Sequence, residues 1–319
     1  MSARLSLRPD SDGRPGFNAA SMPTDAQRSR ADPGSTSARL IFVGTAGAAN
    51  VERCNVCFAI ECAHGETLLL DTAGGFQVVH NLKLAQIDLA SIRHIFLSHR
   101  HSDHLGGLEP LLLHLGLHAL ATGEHADRVA IYAHPVVIEA AQTVLRAMAS
   151  VAPRLLERTG QPLEWRPLEP GQPVELRPGL RLLPFRVDHE PRDGSELGCR
   201  VEGDQAGQTW SIVYSGDTRP TAELSRHARG ADVLIHEVGG FDADAERVHL
   251  PGHSTAGEAG RVATEAGVKR LFLSHLPREG MAGAVLEEVH RFYQGPAGVP
   301  NDLEAFDLRD LLATAVDVP

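Results

Sequence analysis

Ser98-His99-Arg100-His101-Ser102-Asp103-His104-Leu105-Gly106-Gly107 follows directly on the apolar run Ile92-Arg93-His94-Ile95-Phe96-Leu97. That run predicts a short buried strand bounded by polar residues. Four potential metal ligands lie within residues 99–104. Alternate residues of extended backbone face the same way, so His99 and His101 can bind one ion together. Asp103 and His104 lie past the bend and can serve a second ion. Imidazole with carboxylate suits zinc, manganese or iron. Gly106 and Gly107 are expected to let the backbone turn tightly around the ions. The competing reading is a polar loop with coincidental histidines, and in a chain with 17 histidines a single one would mean little. Four ligands at this spacing make coincidence a poor explanation.

At 319 residues the chain can bury a sizeable core as one large or two small domains. Its 42% hydrophobic and 22% charged residues are those of a water-soluble globular protein. No apolar run approaches the roughly 20 residues that span a bilayer, and the N-terminal arginines have no apolar segment behind them, which argues against a secretory signal. Four unevenly spaced cysteines suit a reducing, cytoplasmic setting rather than a disulfide framework. Cys54, Cys57 and Cys62 could hint at a zinc knuckle but lack an obvious fourth ligand, so core packing is expected for them and for Cys199. The net charge of −11 argues against a broad basic face for nucleic acid, though not against local contacts through metal ions and a few arginines.

Residues 1–37 are rich in Ser, Pro, Gly, Asp and Arg without apolar periodicity, so a disordered tail is expected there and a single folded domain over 38–319. Strands are predicted at 39–44, 57–62, 67–71 and 128–132, and helices from Gly74-Gly75 to Leu84, at 108–117 and from Pro135 to Met148. Strands with some hairpin character fill 163–187, followed by 197–202 and 209–215. Helices and strands then alternate: 232–235, 256–266, 270–273 and 282–292. The pattern by itself says mixed α/β.

Further ligand types stand at predicted strand ends. His189 closes the strand 182–187; alone it would more often be a surface histidine. Asp217 follows the strand 210–214 in Tyr214-Ser215-Gly216-Asp217-Thr218-Arg219-Pro220, where an ordinary turn aspartate is the plain alternative. His275 follows Leu271-Phe272-Leu273-Ser274. His236-Glu237 ends the strand beginning at Val233, and His253-Ser254-Thr255 precedes the helix at Ala256. Thr255 or Ser254 could simply cap that helix, and Glu237 could be a solvated loop residue.

The pattern His-x-His-x-Asp-His at 99–104 resembles that of the metallo-β-lactamase superfamily. The segments 215–220, 236–237 and 253–278 are similar to those of its ribonuclease Z group, endonucleases that trim the 3′ end of tRNA precursors. The resemblance covers about residues 40–278 and implies a four-layer αββα sandwich. It implies that His99, His101 and His189 bind one divalent ion, that Asp103, His104 and His275 bind a second, and that Asp217 bridges them. Zinc is the expected metal, with manganese or iron as alternatives. It further implies metal-assisted hydrolysis of a phosphodiester, with Asp103 orienting the attacking water and Glu237 and His253 assisting departure of the alkoxide. Arg219 could contact the phosphate or form a structural salt bridge. The Gly/Pro-rich basic arm with which that group clamps tRNA has no counterpart in 119–179, where charges of both signs are scattered. Val238-Gly239-Gly240 also replaces the usual Ala-Thr-Phe. A small phosphodiester or a locally gripped RNA is therefore the expected substrate, and a homodimer could supply grip in trans. The alternatives are a hydrolase of another ester class, arylsulfatase-like or lactonase, and a metal-binding sensor without turnover.

Overall fold

The computed structural model describes residues 37–205 and 207–313. The expected tail lies outside the described residues except for Ser37, which is buried and whose Oγ donates to Asp307. Strands β1 (Arg39–Gly44), β2 (Cys57–Glu61), β3 (Thr67–Leu70), β4 (Ile92–Phe96), β5 (Val129–Ala133) and β6 (Leu163–Pro167) belong to one sheet. Strands β7 (Val174–Arg177), β8 (Leu180–Arg186), β9 (Leu197–Gln205), β10 (Gln208–Tyr214), β11 (Val233–Glu237), β12 (Leu271–Ser274) and β13 (Ala297–Gly298) form the other. A last strand, β14 (Glu304–Asp307), returns to the first sheet, giving the orders β14-β1-β2-β3-β4-β5-β6 and β13-β12-β11-β10-β9-β8-β7. The predicted strands of 163–187 are thus divided: β6 pairs parallel with β5, while β7 and β8 open the second sheet as a hairpin. Spacing alone could not assign them, because hydrophobic alternation reports a strand and not its partner.

Alternation along the strands makes the layers. Leu40 and Phe42 of β1 face the second sheet, joining Phe58, Phe96, Ile212, Ile235 and Phe272 in one inter-sheet core. Phe42 sits edge-on to Phe272 across that interface, centroids 5.1 Å apart. Ile41 and Val43 point the other way, against helices α1 (Gln77–Leu84), α3 (Leu108–Thr122), α4 (Pro135–Ala147) and α5 (Ala152–Arg158), the short α2 (Ser102–Leu105) lying between α1 and α3. The second sheet's outer face is covered by α6 (Ala222–Ala228), α8 (Ala256–Ala266) and α9 (Ala282–Val289), with α7 (Ala245–His249) preceding α8. A final short helix, α10 (Leu308–Ala313), follows β14. The result is an α/β sandwich of two mixed sheets with helices outside, as the resemblance implies. Helix α5 is unpredicted, since Pro153 and a single turn of apolar residues carry little periodic signal. No helix among the described residues is long and apolar enough to cross a membrane.

Strands β3, β4 and β5 run parallel, as do β10, β11 and β12, and β8 points the same way through its antiparallel neighbour β9. Loops leaving the carboxyl ends of these strands meet at one edge of the sandwich, where open α/β sheets hold ligands.

Candidate metal centre

Each proposed ligand leaves such a strand end. His99 and His101 lie beyond β4, His101 on extended backbone, and α2 then lifts Asp103 and His104 onto one turn of helix. Gly106 and Gly107 have ordinary helical φ values (−64° and −82°), so tight turning is not their role. A Cβ on Gly107 would stand 1.8 Å from the Thr72 carbonyl oxygen. The glycines therefore permit close approach of the loop after β3, which correction sequence spacing could not supply. His189 follows β8, Asp217 follows β10 and His275 follows β12. The His275 backbone is left-handed at φ 62°, a conformation held by its N–H donating to Thr45 O at 2.8 Å.

Two groups of ligand atoms result. His99 Nε2 and His189 Nε2 approach His101 Nδ1 to 3.1 and 3.0 Å. In the second group, Asp103 Oδ2 and Asp217 Oδ2 lie 3.2 and 3.1 Å from His275 Nε2, and 3.5 and 3.3 Å from His104 Nε2. Ligand atoms on a tetrahedral ion with bonds of about 2.05 Å stand about 3.3 Å apart, so both groups are spaced to share a cation. Asp217 Oδ2 also reaches 3.9 Å from His99 Nε2 and 3.8 Å from His189 Nε2, between the groups. His104 Nε2 and Asp217 Oδ1 are buried without a hydrogen-bond partner, which a bound ion would supply.

The outer partners set which nitrogen faces inward. Ser98 Oγ donates its one proton to Asp71 Oδ2 (2.7 Å), so it accepts from His99 Nδ1 (3.0 Å). His104 Nδ1 donates to Asp71 Oδ2 at 2.8 Å and His189 Nδ1 to the Gly252 carbonyl at 2.9 Å. All three then present Nε2 to the centre. Asp71 also accepts from Ser98 N (2.8 Å) and Tyr214 Oη (2.7 Å). It is fully buried, and the sequence reading missed it. The sequence showed only a carboxylate ending the apolar strand 67–70, not the partners that folding brings to it.

Charge is divided between the groups. Burial lowers His99, His101 and His189 and so favours the neutral form that ligands need. Burial also works against charge on His104, yet Asp217 and Asp71 outweigh it and hold His104 well above the usual imidazole value. Burial opposes ionisation of Asp217 and Asp103 too; His275 and His104 overcome it and keep both below the usual carboxylate range. With both carboxylates ionised this group attracts positive charge, and a bound cation would take the place of the proton on His104.

Beside it, Glu237 Oε1 accepts from Ser254 N (2.9 Å), Thr218 N (3.1 Å) and His253 Nδ1 (3.2 Å). Glu237 is buried at the end of β11, against the solvated-loop alternative. Despite burial, the Glu237 carboxylate pushes His253 up to about 9. The His-Ser-Thr segment divides its work: Thr255 is the N-cap of α8 in a reciprocal capping box with Glu258, and Ser254 Oγ donates to Thr218 O at 2.6 Å. Arg219 meets Asp188 and Glu190 rather than open space, the salt-bridge alternative. All four cysteines are free and buried, and burial first of all raises Cys54 to about 12 and Cys62 to about 11, as core residues require.

A family model described as a beta-lactamase superfamily domain matches residues 66–276. The chain is 29% identical over 314 residues to a ribonuclease Z of Myxococcus xanthus, covering 83% of this chain and 95% of that protein. It is 30% identical over 305 residues to a ribonuclease Z of Haloferax volcanii, covering 83% of this chain and 93% of that one. The crystal structure of human tRNase Z, short form, superposes with a TM-score of 0.66 at 20% identity, over 84% of this chain and 98% of that one.

Proposed function

We propose, given that this chain belongs to the beta-lactamase superfamily and within it to the ribonuclease Z family, that residues 38–319 form one hydrolase domain holding two zinc ions. The chain is a metal-dependent hydrolase of ester bonds, a nuclease or phosphodiesterase, and binds divalent metal. The observation carrying the two-ion reading is the pair of ligand-atom groups that meet at Asp217 Oδ2. His99, His101 and His189 would hold one ion, and Asp103, His104 and His275 the other, with Asp217 between. Bound there, the ions would supply Lewis acidity and an activated water.

The remaining chemistry belongs to side chains. Asp103 Oδ2 stands beside both His104 and His275, where it can accept a proton from, and orient, a water entering the second group. His253, held by Nδ1 on Glu237, whose carboxylate favours the imidazolium, would offer Nε2–H to a departing alkoxide. Glu237 holds that imidazole in place and stabilises its charge. The substrate we propose is an RNA phosphodiester gripped locally. A second copy of this chain is a proposed partner, since α3 leaves Leu117 and Leu120 exposed.

The test is metal analysis of the purified protein beside hydrolysis of bis-p-nitrophenyl phosphate, a p-nitrophenyl sulfate, a lactone and a tRNA precursor. Two equivalents of zinc and turnover of the phosphodiesters are expected. One equivalent, or turnover of only the sulfate or lactone, would overturn the reading.

A further inference from the structure

Arg219 lies two residues beyond Asp217, and its side chain is 12% exposed. Its backbone N–H donates to Asp188 O at 2.9 Å, and Thr218 Oγ1 accepts from Asp188 N at 3.1 Å, which zips the loop after β10 to the loop carrying His189. The guanidinium continues the tie. Nη1 reaches Asp188 Oδ1 at 3.3 Å, and Nη2 reaches Glu190 Oε1 at 3.0 Å, so both neighbours of His189 are held. Nη2 also donates to the Leu250 carbonyl at 3.0 Å. Leu250 belongs to a segment with no strand to support it and is itself 79% exposed.

Two residues past that carbonyl, Gly252 takes the Nδ1–H of His189 on its own carbonyl oxygen. Gly252 has φ +100°, and a Cβ there would stand 2.6 Å from His189 Nδ1, so only glycine brings this carbonyl so near. His253 follows immediately. One planar fork thus spans three loops, a task suited to arginine because its donors are fixed in one plane; the single ammonium of lysine cannot span them.

We propose that Arg219 is a positioning residue. It holds both neighbours of His189 directly, and through Leu250 and Gly252 it fixes the His189 tautomer and the seat of His253. The proposal rests on His189 being a metal ligand.

The test uses the full chain with Arg219→Ala, Arg219→Lys and His189→Ala. Zinc retention is titrated against a competing chelator, the melting midpoint is taken without metal, and histidine tautomers are read from 15N–1H NMR spectra. For Arg219→Ala we expect about a tenfold loss of affinity for one of two zinc equivalents, the usual effect of removing a partner behind a ligand. The His189 resonances should report both tautomers, the metal-free midpoint should stay close to wild type, and Arg219→Lys should fall between. Wild-type zinc retention in Arg219→Ala, or a loss of affinity matched by an equal fall in the metal-free midpoint, would overturn the proposal. Should Arg219→Ala not fold, Arg219→Lys and Glu190→Gln carry the same comparison. If His189→Ala keeps both equivalents, the ligand reading fails; if it loses zinc while Arg219→Ala does not, only the positioning role fails.

Discussion

Asp217 and His253 sit 4.0 Å apart and are expected to fail differently when removed. Asp217→Ala should abolish turnover and lower metal content, because the carboxylate between two cations is gone. His253→Ala should leave the metals in place and cut turnover by about 10²–10⁴, the usual span of a general acid. Metal analysis beside initial rates checks both, and wild-type rates for His253→Ala would remove it from the chemistry. His94, on β4 and buried between the two sheets beside Tyr132, makes a separate point about acid stability. Burial first, then Arg128 and Arg93, lowers it from 6.5 to about 4. Its folded value lies below its unfolded one, so the stability tied to neutral His94 is present above pH 6.5 and is lost as pH falls towards 4. At about 1.4 kcal/mol per unit this amounts to about 3 kcal/mol. Substituting His94→Gln should flatten the urea-unfolding stability between those pH values; an unchanged slope would acquit His94.

At the level of single elements, the centre depends on how short pieces end. Helix α2 is one turn long and has no side-chain cap, so the Thr72 N–H donating to His104 O (2.8 Å) and the glycine contacts behind it hold Asp103 and His104 in place. Helix α8 begins instead with a full capping box. Thr255→Ala should cost about 1 kcal/mol, or a few degrees in melting midpoint for a domain of this size. Zinc content should be unchanged. A tenfold loss of zinc affinity in that variant would mean that the cap also seats His253. The parallel strands β10, β11 and β12 bring Asp217, Glu237 and His275 to one level, which is why residues 58 positions apart in the chain meet.

Over the whole molecule, charge governs what can be held. The segment 1–37 has five arginines against four aspartates, which leaves −12 on the rest of a chain of net charge −11. Phosphate contacts from Lys and Arg dominate affinity for long nucleic acids and weaken it steeply with salt. Several arginines near the centre are already paired: Arg219 with Asp188 and Glu190, Arg100 with Asp193, Arg53 with Glu279. We therefore expect metal-dependent hydrolysis of bis-p-nitrophenyl phosphate that changes little with salt, beside weak tRNA-precursor binding that falls further as salt rises. Efficient, site-specific cleavage of a precursor at physiological ionic strength would show that grip comes from elsewhere, a second copy of the chain included.

The ligand types and their order along the chain were legible in the sequence, because metal-binding chemistry needs particular side chains and a strand end to carry them. The αββα layering was legible only through resemblance: alternation marks the buried faces of β1 or β10 but does not name the partner sheet. Tertiary structure alone decided what no local pattern encodes. Asp71 looked like the last residue of a strand until folding placed His104, Ser98 and Tyr214 around it. Gly107 looked like a turn residue until the Thr72 carbonyl was found against it. Arg219 had two readings until Asp188, Glu190 and Leu250 closed on its guanidinium. A side chain's type limits the bonds it can make, but which of them it makes depends on neighbours brought in from distant parts of the chain.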